Sequence, residues 1–226
     1  MREYVTSQLV NSFFRAGQPL RAYKRNIILG WDETLSNVYF IEKGLIKAYS
    51  IGKDGEEFLH LIYGPGEIFP LPWAYTGIQR EDYYEAMVDS LLFQVTIQRF
   101  EDFSRSNIFV SDALARLLAE QLNSYSDKVD NLEYKKPEQR LAYRLLFLAS
   151  RFGHEESNQI VIEGPFTHQL IADSIHLARE TVSREIHRMT YEGLVGQHGH
   201  RIVIKNLPGL KDKLGKDVNA HGWNFD

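Results

Sequence analysis

Apolar and polar positions change rhythm twice along this 226-residue chain. Between residues 26 and 100 the apolar positions come in short runs, at 37–41, 45–49, 58–62, 83–88 and 91–95, rich in β-branched and aromatic side chains. Turn chemistry separates them: Glu42-Lys43-Gly44, the Asp54-Gly55 step, and Gly64-Pro65-Gly66-Glu67. Short strands with a turn roughly every ten residues predict an antiparallel sandwich or roll.

Past residue 100 the spacing becomes three and four. Val110, Leu114, Leu118, Leu122, Tyr125, Val129 and Leu132 recur on one stripe among polar residues. They predict an amphipathic helix over 111–134, ended by Lys135-Lys136-Pro137. The stripe is narrow and nearly heptad, which suits packing against a copy of itself through Leu114, Leu118, Leu122, Tyr125, Val129 and Leu132. A surface helix lying on the β region fits the same pattern. A second helix is expected over 137–152, with Pro137 in its first turn and Gly153 as its stop. A polar stretch at 154–158 and a strand at 159–162 follow.

From Phe166 the order is helix, turn, helix, hairpin. Thr167 is a candidate N-cap for a helix through Ser174, and Ile175-His176-Leu177 makes a turn. A helix over 178–192 buries Val182, Ile186 and Met189 and leaves Arg179, Glu180, Ser183, Arg184, His187 and Arg188 outside. Gly193 ends it. The runs 194–196 and 201–204 then bracket residues 197–200 as a hairpin, giving a winged helix-turn-helix. The exposed face suits a DNA major groove: arginine presents a fork to guanine O6 and N7, and a carboxylate accepts from cytosine N4. Thr181 and Ser183 suit phosphates, which position a helix without specifying sequence. A solvated helix with a Glu180–Arg184 pair is the plainer reading, and the flanking turn-helix and wing weigh against it.

Composition changes this picture in two places. The chain has no cysteine, which excludes disulfides, thiolate-held zinc, iron–sulfur clusters and cysteine nucleophiles. The net charge is −4, and the acidic excess lies before Pro137: 15 Lys/Arg against 19 Asp/Glu there, 11 of each after it. A neutral domain still binds DNA through a local basic face. The first residues lack a signal-peptide core and no run is long enough to span a bilayer, so a cytoplasmic protein without membrane contact is expected. Nucleotide-binding glycine loops, His-Glu-x-x-His and Gly-x-Ser-x-Gly are absent, and Glu155-Glu156 reads as a solvated pair; no enzyme is indicated.

In order and spacing, residues 20–208 resemble the CRP/FNR superfamily of bacterial transcription regulators. Arg179-Glu180-Thr181-Val182-Ser183-Arg184 looks like its recognition-helix signature. Gly44, Asp54-Gly55 and Gly64-Pro65-Gly66-Glu67 look like turns of its cyclic-nucleotide-binding β-roll. Ser126-Asp127-Lys128-Val129 and Asn131-Leu132 resemble its dimer helix. The resemblance implies an α+β protein: an antiparallel β-roll (jelly roll) over 1–106, a dimerisation helix over 107–136 and a winged helix-turn-helix over 137–226. It implies a homodimer on an inverted repeat of double-stranded DNA, with RNA polymerase as a further partner. Arg179, Glu180 and Arg184 match the readers of a TGTGA-type half-site; Thr167, His168 and Gln169 match positions touching phosphates or outer bases. His176 departs from the pattern, since a small residue usually occupies that turn.

The sensor end agrees less well. Gly66-Glu67 matches the opening of the family's nucleotide cassette and Arg80 its phosphate arginine, but Leu71 stands where the ribose-binding Glu belongs. Glu81 replaces the Ser beside the arginine, and Tyr125 replaces a Thr while Ser126 is retained. A carboxylate at a phosphate site repels the anion, so cyclic AMP is not the expected effector. His60, the one histidine of the β region, reads as a structural residue rather than a haem ligand. Tyr63, Phe69, Trp73, Tyr75, Tyr83, Tyr84 and Tyr125 either line a site for an apolar effector or fill it, which would give an effector-independent regulator. A ligand-binding module whose helix-turn-helix serves only protein contacts is the remaining alternative.

Overall fold

The structure is a computed structural model that describes residues 2–106, 108–198 and 201–215. The hairpin tip at Gly199 and His200 and the tail from Val218 to Asp226 lie outside the described residues. The chain divides into two compact units, Met1–Tyr125 and Ser126–Asp226.

The first unit runs α1 (Arg2–Arg15), β1 (Gln18–Ala22), β2 (Ile27–Leu29), β3 (Asn37–Lys43), β4 (Ile46–Ile51), β5 (Glu57–Tyr63), β6 (Ile68–Phe69), α2 (Leu71–Thr76), β7 (Tyr83–Ala86), β8 (Ser90–Thr96), α3 (Ile97–Ser104) and α4 (Ile108–Glu133), whose last turns belong to the second unit. Its strands form two antiparallel sheets, ordered β1-β8-β3-β6 and β2-β7-β4-β5. Alternation along β3 explains the layers. Tyr39 and Ile41 face a core between the sheets with Ile46, Leu61, Tyr63, Phe69, Tyr84 and Leu92. Val38 and Phe40 point the other way, into a second core with Phe14 of α1, Phe100 of α3 and Leu114 of α4. A strand buried on both sides reads as an unbroken apolar run. Gly44, at φ +105°, makes the turn into β4; a Cβ there would lie 2.0 Å from Ser90 Oγ, so both conformation and space require glycine.

In the second unit, α5 (Pro137–Phe152) buries Leu141, Leu145, Leu146, Leu148 and Ala149 of its expected apolar face, and also Ala142, Tyr143 and Phe147, so it is enclosed on more than one side. It is followed by β9 (Gly153–Glu156), β10 (Gln159–Ile162), α6 (His168–Ile175), α7 (Arg179–Tyr191), β11 (Val195–His198), β12 (Arg201–Ile204) and α8 (Leu207–Asp212). The strands pair antiparallel in the order β11-β12-β10-β9. Here the polar stretch at 154–158 contributes a strand and a tight turn. Ser157 and Asn158 both take positive φ, 51° and 62°, and close a hairpin that pairs β9 with β10. Asn in a left-handed turn is a hairpin signal; β9 lacked apolar alternation because Glu155 and Glu156 stay exposed.

α4 also separates two faces that sequence spacing merges. Leu114 is fully buried in the core of its own unit, together with Val110. It is therefore withdrawn from the seam. Leu122 (65 % exposed), Val129 (61 %) and Leu132 (43 %) form the open edge, while Leu118 and Tyr125 are half-buried.

Candidate nucleic-acid interface

α6 starts where the Leu170 amide donates to the Thr167 hydroxyl at 3.2 Å, satisfying one orphan amide of the first turn. It ends at His176, whose φ of 52° and ψ of 51° are left-handed and whose amide donates to the Ala172 carbonyl. That conformation turns the chain into α7. Ala178, before Arg179, offers α7 no side-chain acceptor, and in the first turn the Thr181 amide donates to the Ala178 carbonyl at 3.0 Å.

Along α7, Val182, Ile186 and Met189 are buried. Arg179, Glu180, Arg184 and His187 are exposed on the opposite face, with Thr181 and Ser183 half-buried beside them. The face therefore carries two guanidinium forks, a carboxylate and two short hydroxyls. At the start of α6, the Gln169 side-chain amide donates to Asp173 at 2.7 Å. The His168 ring lies 3.3 Å from Oε1 of Gln197 on β11, so the wing and the first helix meet beside the exposed face. Arg201 on β12 pairs with Glu163 at 2.8 Å.

Arg188 lies elsewhere than its position in the sequence suggests. Its guanidinium is 2.7 Å from Glu185, 3.8 Å from Glu192 and in close contact with Glu138 of α5. Behind the elbow the charges are positive. Burial and then Lys128 and Arg140 push the His176 imidazole below its ordinary value of 6.5. Burial and Arg144 bring Lys128 down to about 8, and burial and Arg151 bring Arg144 to about 9. Arg140 also donates to the Tyr134 carbonyl at 2.7 Å, fixing the end of α4 to α5.

The effector candidates of the first unit fall on several surfaces. Gly66 makes its turn at φ +87°, and the Glu67 carboxylate bends back to accept the Gly64 amide at 2.6 Å. Tyr83 stacks on Tyr49, 5.4 Å between ring centres, whereas its neighbour Tyr84 points into the core. There Tyr84 stacks on Phe69 at 5.1 Å, with Tyr63 at 5.7 Å from Phe69. Tyr125 packs against this core and Ser126 is exposed. Arg80 is exposed and its Nε lies 3.5 Å from Asp82. Glu81 is exposed too, so the carboxylate that matters is Asp82, 5 % exposed and 3.3 Å from His60. Burial raises the Asp82 pKa and Arg80 opposes that shift.

Residues 139–213 match the Crp-like helix-turn-helix domain, and residues 20–107 match the Cyclic nucleotide-binding domain. The chain belongs to the CRP/FNR superfamily. Among relatives of this CRP/FNR chain, the Anaerobic regulatory protein of Haemophilus influenzae is 23 % identical over 192 residues, 85 % of this chain and 74 % of that protein. The Fumarate and nitrate reduction regulatory protein of Escherichia coli is 23 % identical over 220 residues, 97 % of this chain and 86 % of that one. The structure of FixK2 from Bradyrhizobium japonicum superposes with a TM-score of 0.75 at 23 % identity, covering 89 % of this chain and 98 % of that one, which shows a shared fold.

Sequence reasoning missed three participants in this CRP/FNR protein. Gln197 belongs to the wing–helix contact, and only pairing of β11 with β12 brings it to His168. Glu185 had a legible signal, a charge breaking the apolar stripe of α7. Asp82 had none, because its neighbours Arg80 and Glu81 are equally charged and both exposed.

Proposed function

We propose that the chain is a homodimeric, sequence-specific DNA-binding transcription regulator that reads an inverted repeat of the TGTGA type through α7. The observation that carries this reading is the open face of Arg179, Glu180 and Arg184 behind an uncapped helix start, beside a capped α6 and a wing. Thr181, Ser183, Thr167, His168 and Gln169 supply polar groups around it for phosphates and outer bases. Two-fold protein symmetry then demands a two-fold operator. The dimer forms through the exposed edge of α4, the three parts of the chain act as sensor, seam and reader, and RNA polymerase in the cytoplasm is the partner that such an output implies.

Binding titrations on a duplex carrying an inverted TGTGA repeat and on a scrambled duplex test the reading. Arg179→Ala and Glu180→Ala are each expected to remove about 1–3 kcal/mol of discrimination at one base pair. Equal affinity of the unaltered protein for both duplexes would favour a helix-turn-helix used for protein contacts and overturn the proposal.

A second reading concerns the sensor. Its aromatic residues are packed against one another, and a buried carboxylate stands beside the arginine expected to take a phosphate. These residues do not fit an anionic cyclic nucleotide. They favour a regulator that binds DNA without that effector. Iron–sulfur ligation is excluded by the absence of cysteine, and His60 is committed to Ser50 at 2.9 Å and Asp82 rather than offered to haem.

A further inference from the structure

A buried acid lies directly behind the exposed face of α7. Glu185 shares the inward side with Val182, Ile186 and Met189 and is 7 % exposed. Its carboxylate lies 2.7 Å from the Arg188 guanidinium and 3.7 Å from Nε of Arg184. The 2.7 Å approach is not aligned as a hydrogen bond, so Arg188 acts on Glu185 by neutralising its charge.

Arg188 is poorly placed to serve DNA itself. Glu138, Glu185 and Glu192 surround it, and the group's further cations are Lys213, 2.6 Å from Glu192, and Arg184, 3.7 Å from Glu185. Three carboxylates already share the Arg188 guanidinium, so a phosphate would have to compete with all of them for it. The same carboxylates span the first turn of α5, the body of α7 and the residue after it, so the guanidinium ties the reading helix to its support.

Removing Arg188 would strand Glu185. A carboxylate at that depth without a counter-charge is costly, far more so than an exposed pair. Among the described residues the other cation within 4.0 Å is Arg184, whose side chain is 69 % exposed and only loosely engaged. The stranded acid would therefore draw Arg184 inward and away from a base. We propose that Arg188 is a positioning residue: by neutralising Glu185 from behind, it leaves Arg184 free to read DNA. The proposal rests on the DNA-reading function above.

The test compares full-length wild type, Arg188→Met, Arg188→Lys and the double variant Arg188→Met/Glu185→Leu on matched duplexes differing at the base that Arg184→Ala identifies. Thermal unfolding confirms that each variant is folded. Arg188→Met is expected to lose about tenfold in discrimination at that base while its affinity for scrambled DNA and its salt slope hold. Arg188→Lys keeps a cation on Glu185 and should retain discrimination. The double variant removes the acid together with its partner and should recover it. If Arg188 instead bound a phosphate, Arg188→Met would weaken every duplex, its salt slope would fall by about one, and the double variant would stay weak. That result, or undiminished discrimination in folded Arg188→Met, overturns the positioning role. Absence of any preference in the wild type overturns DNA reading itself.

Discussion

His176 holds the elbow between α6 and α7 at φ 52°, a conformation that glycine or asparagine enters with less strain than histidine. Its imidazole is held below the ordinary value by burial, then by Lys128 and Arg140. Protonation thus adds a third positive charge to a group that already has two. In the unfolded chain the ring takes up a proton near 6.5, whereas in the folded chain it resists. Stability is therefore unaffected above that value and declines as pH falls from there through the lowered folded value. His176→Asn keeps left-handed tolerance and cannot titrate. Melting temperatures measured from pH 7.5 to 5.5 should drop more steeply in the wild type, by about 1–2 °C over that span. Parallel curves would remove the elbow from the pH response.

On the scale of elements, α4 shows what periodicity can and cannot reveal. The helix was legible: spacing predicts 111–134 and the structure has Ile108–Glu133. Its faces were not, because apolar residues at three- and four-residue steps mark burial without naming the partner. Leu114 meets the unit's own core, whereas Leu122 and Val129, one heptad apart, meet solvent. α5, α6 and α7 fall within a residue of their expected bounds, since proline, threonine and glycine punctuate them. The exposed face proposed to read DNA was legible in its placement for the same reason: helical phase alone places Arg179, Glu180 and Arg184 opposite Val182, Ile186 and Met189. Phase could not show that Arg188 is bound by acids from another helix, as that depends on tertiary packing. If the exposed edge is the dimer seam, Leu122→Asp/Val129→Asp places like charges across it. Sedimentation should then show monomers with lowered operator affinity, whereas Leu114→Ala should cost about 2–5 kcal/mol of stability by opening a core cavity. A dimer persisting in the double aspartate variant would move the seam elsewhere.

For the whole molecule, the question is whether the sensor must be occupied before the reader works. A ligand shifts a conformational equilibrium only by the difference between its affinities for the two states. Here Tyr63, Phe69 and Tyr84 already occupy the space between the sheets, all three less than a tenth exposed, and Asp82 balances Arg80 where an incoming anion would need a free cation. A cyclic nucleotide would have to displace packed rings and break a partly buried ion pair, losing contacts in any state it bound. Purified protein should therefore bind the inverted-repeat duplex with no nucleotide added. Millimolar cyclic AMP should change that affinity less than about twofold and leave the melting temperature unmoved. Asp82→Asn removes the carboxylate and frees Arg80, so it is the variant in which a nucleotide response should first emerge. A thermal shift with cyclic AMP in the wild type, lost in Arg80→Ala, would show instead that the rings part for the ligand and that Asp82 yields its arginine to a phosphate.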